Sequence, residues 1–205
     1  MFHVKQFQEA TGVSKETLQR LQAYADLLEK WQKKINLVGS NTIADLWNRH
    51  MLDSAQLFPL LPRPECTIMD FGSGAGFPGL VLAILGGPQV TMVESDGRKC
   101  AFLAEAMRET KAGPLARLQN CRIEELLSRP VDVVMSRGLA PLGKLLAFAE
   151  PFLREDSICL FLKGKKADEE LTQTEKNWKM QITKIQSQSD PSGMIFKLES
   201  VKRRE

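Results

Sequence analysis

Residues 67–80, TIMDFGSGAGFPGL, constrain this chain more than any other segment. A short apolar run passes directly into Gly72, Gly74 and Gly76, and a helical pattern begins near Pro78. Glycines permit the tight turn and let a ligand approach the main chain, because no Cβ stands in the way. The first N–H groups of the following helix have no intrahelical partner, and they favour an anionic or carboxylate-bearing group. The segment therefore reads as a cofactor cradle. Its spacing is GxGxG, whereas the dinucleotide fingerprint GxGxxG would need glycine at 77, where the chain has Phe77.

The surrounding texture supports this reading. From residue 66 onward, TIMDF, VTMVE, a weaker segment over 116–121, VDVVMS and SICLFLK read as strands, separated by helical patterns over 78–85, 96–110 and 141–152. Such alternation demands an α/β fold with a mostly parallel sheet and crossover helices. A polar helical stretch spans 167–178, and then MQITKIQSQ and MIFKLES flank a turn at Asp190-Pro-Ser-Gly193. They predict an antiparallel C-terminal hairpin, which brings the sheet to seven strands. Ahead of the sheet, Ser14 caps an amphipathic helix through residue 34, and Thr42 opens a second helix that ends at Pro59, Pro62 and Pro64. The expected organisation is a small helical extension over 1–64 and a sheet domain over 65–205, forming one compact unit.

Composition narrows the class further. The longest apolar stretches fall well short of the roughly 20 residues needed to cross a bilayer. MFHVKQFQEATG lacks a secretory leader's basic patch and apolar run, and Cys66, Cys100, Cys121 and Cys159 stand singly. A cytoplasmic protein is expected, monomeric and without a membrane partner. The net charge of +3 is small, but its excess sits at the end of the chain. Clusters at Lys30, Lys33 and Lys34, at Lys163, Lys165 and Lys166, and at Lys202, Arg203 and Arg204 could track phosphates or simply be solvated surface.

Several residues carry candidate chemistry. Glu94 ends the second strand, where a carboxylate can accept both ribose hydroxyls of a nucleoside; NAD and S-adenosylmethionine meet that demand equally. The GxGxG form, Asp70 just before it and the C-terminal hairpin tip the balance towards S-adenosylmethionine. Ile123 could pack on an adenine ring, and Glu124 or the adjacent main chain could bond its edge. Arg137, after the fourth strand, offers a planar fork for a phosphate, a guanine edge or the methionine carboxylate, or it pairs with a strand-end acid. No NPPY-like segment for an exocyclic amine is visible, and no cysteine stands here to attack a pyrimidine. Arg49 and Asp53 are spaced for a local ion pair, and His50 reads as a packed core residue. No metal site is expected.

Taken together, NLVG at 36–39, RHMLDS at 49–54, DFGSGAGFPG at 70–79, ES at 94–95, SRG at 136–138 and KG at 163–164 resemble the RsmG family, formerly GidB, over nearly the whole chain. The resemblance implies a Rossmann-like class I S-adenosylmethionine-dependent methyltransferase acting on N7 of one guanosine in 16S ribosomal RNA, free or in a small-subunit precursor. Carried across, cofactor contacts fall on Gly72, Phe77, Ile123, Glu124 and Arg137, beside Asp70, Gly74, Gly76 and Glu94 from the loop and strand reading. Arg137, Asn36 and Arg49 are the expected catalytic set, and Lys163, Lys165 and Arg203 the expected RNA contacts. The chain departs from the family at Gly138, usually alanine, and at Phe77, leucine in some members. Because the purine N7 carries an unprotonated lone pair, transfer would be direct and in line, with no general base and no covalent intermediate.

Overall fold

The computed structural model describes residues 4–204; residues 1–3 and 205, the outer ends of the two expected segments, lie outside the described residues. Two helices come first, α1 (Val4–Thr11), which the sequence reading missed, and α2 (Lys15–Gln32), capped by Ser14 as expected. The single helix expected from Thr42 is instead wound three ways: a 3-10 segment over Ser40–Asp45, a π-helical segment over Trp47–Leu52 and one turn, α3 (Asp53–Ala55). Side-chain bonds compete with the regular ladder here, since the Thr42 hydroxyl meets both the Gly39 carbonyl and the His50 ring at 2.7 Å.

The sheet domain follows as β1 (Thr67–Phe71), α4 (Gly79–Leu85), β2 (Gln89–Glu94), α5 (Gly97–Glu109), β3 (Ala116–Asn120), β4 (Val133–Arg137), α6 (Leu142–Ala149), β5 (Ile158–Lys163), α7 (Ala167–Thr174), β6 (Trp178–Gln186) and β7 (Met194–Arg203). The seven strands lie in the order β3-β2-β1-β4-β5-β7-β6. The first five run parallel and β7 is antiparallel to both β5 and β6. The order reverses between β1 and β4, and that switch point is where open α/β sheets leave a crevice at the carboxyl ends of their strands.

Period-two alternation supplies two core layers. Val133 and Met135 of β4 face one layer, together with Leu80, Phe102 and the N-terminal residues Phe7, Leu21, Tyr24 and Leu28. Val134 faces the other, with Phe71, Leu145, Phe152, Phe161 and Phe196. Each such buried side chain contributes about 1.5–3 kcal/mol, so residues 4–57 are built into the first layer. At the amino edge of the sheet, buried Asp132 accepts from the Thr67 main chain and hydroxyl and pairs with Arg63 of the proline-rich stretch at 2.6 Å. No helix among the described residues is long and apolar enough to cross a membrane.

Candidate active site

The glycine loop leaves β1 by bonding across to β2, with the N–H groups of Gly72 and Ser73 both donating to the Val93 carbonyl. Glu94 then braces the loop from the end of β2. Its Oε2 accepts from Gly74 N at 2.9 Å and its Oε1 from Asp96 N at 2.8 Å. A carboxylate offers about four lone-pair sites, so two remain for a ligand's hydroxyls. Gly74 lies at φ +58°, in the left-handed region, and a Cβ there would meet nothing nearer than the Gly72 carbonyl at 3.8 Å. A cavity of about 380 Å³ opens above this loop, and Gly72, Gly74, Glu94, Ile123, Glu124 and Arg137 all line it. Those six expected residues come together. Lys99, Arg122, Lys144 and Phe148, which the sequence reading did not single out, also line it.

Three expected cofactor residues stand behind the loop. Asp70 is fully buried, with Oδ2 accepting from Gly79 N at 3.2 Å and Oδ1 without a hydrogen-bond partner. Burial raises its pKa to about 6, against the pull of the Ser73 hydroxyl, Gly79 N–H and Arg137 charge. Gly76 serves packing, because a Cβ there would come within 2.8 Å of the Tyr24 hydroxyl. The Tyr24 hydroxyl itself donates to the Ala75 carbonyl. The Phe77 ring is 2% exposed, packed between Tyr24 at 5.3 Å and His50 at 5.0 Å. Helix α2 thus holds the underside of the loop, a contact that no local pattern announces.

Arg137 stands where this cavity meets a second one of about 370 Å³. The second is walled by Val38, Thr42, Arg49, His50 and Asp53 from the N-terminal part and by Ser187, Ser189 and Asp190 from the turn before β7. The i,i+4 pair expected between Arg49 and Asp53 does not form. Arg137 takes Asp53 at 3.2 Å, and Arg49 reaches Asp190 at 2.6 Å. The reason is competition: the half-buried guanidinium of Arg137 needs a carboxylate, and Asp53 also accepts from Ser189 at 2.6 Å and Gln56 at 2.9 Å. Asp190 is pulled down to about 2 by the Ser192 N–H and by Arg49. Arg137 further donates to the Arg49 carbonyl at 3.3 Å and to His50 Nδ1 at 2.9 Å, with its guanidinium carbon 5.0 Å from the Phe77 centroid.

Of the remaining expected residues Lys163 lines the second cavity, whereas Asn36, Lys165 and Arg203 stand outside both linings. Asn36 is exposed and accepts from Gln32, one residue outside the cavity wall that Leu37 begins. Lys163, expected to meet RNA, is only 7% exposed and is committed to Glu170 at 2.6 Å and to the Ala140 carbonyl at 2.9 Å. Lys165 is exposed. Arg203 pairs with Glu150 and covers the Trp178 ring at 4.9 Å. Because Met194 opposes Lys163 and Glu199 opposes Ile158, Arg203 lies past the amino edge of the sheet, opposite both cavities.

Parallel strands with only β7 reversed, a glycine loop after the first and a carboxylate ending the second are the sheet of Rossmann-like class I S-adenosylmethionine-dependent methyltransferases, and this chain has that fold. A TehB-like SAM-dependent methyltransferase from Corynebacterium glutamicum superposes with a TM-score of 0.59 at 16% identity, over 88% of this chain and 99% of that one. The match by sequence is more specific. Residues 17–193 fit the GidB family model, described as rRNA small subunit methyltransferase G. Proteins named ribosomal RNA small subunit methyltransferase G from Paramagnetospirillum magneticum and Rhodospirillum rubrum are 53% and 52% identical, over 94% and 93% of this chain and 93% and 94% of theirs. The chain belongs to the rRNA small subunit methyltransferase G (GidB) family.

Proposed function

We propose that this protein methylates N7 of one guanosine in the 16S ribosomal RNA of the small subunit, by direct in-line transfer from S-adenosylmethionine. The observation that carries the reading is the junction at Arg137 of two cavities of similar size, one bearing the glycine cradle and Glu94, the other walled by polar side chains together with Leu37, Val38, Leu162 and Ile195. The residues fit the cofactor: Glu94 retains acceptor capacity for ribose hydroxyls, Gly72 and Gly74 leave the main chain approachable, and Ile123 and Glu124 flank the space for an adenine. When bound, S-adenosylmethionine supplies the activated methyl group.

The second cavity would receive a guanine drawn out of its stack, since RNA is read chiefly at unpaired bases. Proton removal is not required at N7, and His50 offers no base: burial and the charges of Arg137 and Arg49 lower its pKa to about 3. The ion pair with Asp53 offsets the charge of Arg137, which suits a purine that becomes cationic as it accepts the methyl group. Arg49 would orient the base from the opposite wall, with Asn36, Lys165 and the Lys163 region beside the entering strand. The protein would act in the cytoplasm as a monomer on 16S ribosomal RNA or a small-subunit precursor, with the helical part over 1–64 as one wall of the RNA site. Labelled S-adenosylmethionine incubated with small subunits lacking the modification should transfer methyl to one guanine. Subunits already modified should accept none, and equal labelling of both would sink the assignment.

A further inference from the structure

Of the side chains around Arg137, His50 is the one whose chemistry the proposed reaction leaves unused. We infer that His50 is a positioning residue for Arg137, a neutral one-way relay that accepts from the guanidinium at Nδ1 and donates from Nε2 to Thr42. The inference rests on the reading that Arg137 serves methyl transfer, and it deepens that reading.

The direction of the relay follows from what each group can do. A guanidinium only donates, so the 2.9 Å contact between Arg137 and His50 Nδ1 requires a lone pair on Nδ1. The proton of the neutral ring is then on Nε2, which lies 2.7 Å from the Thr42 hydroxyl oxygen. That hydroxyl spends its own hydrogen on the Gly39 carbonyl at 2.7 Å. Every link therefore has one permitted orientation, and the chain ends on main chain in the wall of the second cavity.

The ring cannot easily turn or charge. It packs at 5.0 Å on the Phe77 ring, over which Arg137 also lies at 5.0 Å, so both groups rest on one buried aromatic. An imidazolium would lose the Nδ1 lone pair and stand between Arg137 and Arg49. Burial, and after it those two cations, lowers the pKa in the same direction. The Asp53 carboxylate offers no relief, being engaged by Arg137, Ser189 and Gln56. Arg137 is bonded to residues 49, 50 and 53 of one short segment, and the bond to His50 is the shortest of the three. Losing it would free the guanidinium to tilt between the cavities, and misplacement by about 1 Å can cost a large factor in rate.

The test uses the full chain with unmethylated small subunits. Asparagine can return an acceptor near the Nδ1 position, whereas glutamine reaches the Nε2 position and keeps only the Thr42 link. His50→Gln should lower kcat about tenfold or more with both KM values within about threefold, and His50→Asn should restore kcat to within about threefold of the parent. Nitrogen NMR of the unsubstituted protein should show Nδ1 bare, Nε2 protonated and no titration between about pH 6 and 8. Full activity in His50→Gln, equal losses in both variants, or a proton on Nδ1 would overturn the inference. Arg137→Ala separates the two levels. If that variant transfers methyl normally, the reading of Arg137 falls and the relay's role falls with it. If it loses transfer while His50→Gln does not, only the relay is refuted.

Discussion

The two cavities that meet at Arg137 have nearly equal volumes, about 380 and 370 Å³, and opposite constructions. The first is made mainly of strand ends and the turns that follow them, with Lys99 of α5 and Lys144 and Phe148 of α6 at its margin. Gly72, Glu94 and Arg137 follow or end β1, β2 and β4, and neighbouring strands bring them together at once. The second shares the ends of β4 and β5 at Arg137, Leu162 and Lys163, but most of its wall comes from residues 37–53 and 187–195, and the segments that carry them are bonded to one another by Arg49–Asp190, Asp53–Ser189 and Gln56–Gln188. A cavity built on a sheet edge inherits the rigidity of the sheet, whereas one built on a seam between distant segments depends on each bond across it. On the proposed reading, cofactor binding falls to the rigid half and RNA selection to the seam.

The largest expected effect falls on the residue shared by both halves. Arg137→Ala should lower transfer about 100- to 1,000-fold in single-turnover assays with saturating cofactor, the range for removing one preorganised donor; a loss confined to cofactor affinity would move Arg137 wholly into the first cavity. Gly74→Val should follow. The main chain at φ +58° is strained for a β-branched residue, and the new side chain would fill the cradle, so S-adenosylmethionine should bind up to about 100-fold more weakly by calorimetry. Unchanged affinity would refute the cradle. Asp190→Asn, a change on the seam, should raise KM for the small subunit about three- to tenfold and leave cofactor affinity alone; an equal effect on both would erase the contrast.

The smallest effect is a contrast in pH dependence. Asp70 sits under the first cavity with its folded pKa raised to about 6, so between about pH 4 and 6 the folded state holds a proton that the unfolded chain has released. Its contribution to stability therefore falls as pH rises through that window. His50 sits beside the second cavity with its folded pKa lowered to about 3, so its contribution is lost as pH falls from about 6.5. Asp70→Asn should gain about 1 kcal/mol on its parent between pH 5 and 8 in denaturant titrations. The cost of His50→Asn should instead shrink as pH falls from 7 to 5. Parallel pH profiles for the two variants would break the contrast.

Much of the first half was legible in the chain. Strand–glycine–helix segments, capping at Ser14 and the Asp190-Pro-Ser-Gly193 turn are local chemistry, and they yield seven strands, the antiparallel C-terminal hairpin and the positions of Gly72, Glu94 and Arg137. Ile123 and Glu124, read from the segment after the third strand and met again in the family resemblance, do line the first cavity. Side-chain partnership was not legible, because spacing tells which groups can meet and never which competitor arrives from elsewhere. Arg49 and Asp53 have the spacing of a pair, yet Asp190 and Arg137 claim them from 141 and 84 residues away. Lys163 looks like free charge until α7 presents Glu170, and Gly76 and Phe77 look like cofactor loop until α2 lays Tyr24 against them. Backbone conformation and apolar periodicity are properties of a few consecutive residues. Burial, ion pairing and the tautomer of His50 belong to groups that only the packed sheet and helices bring within bonding distance.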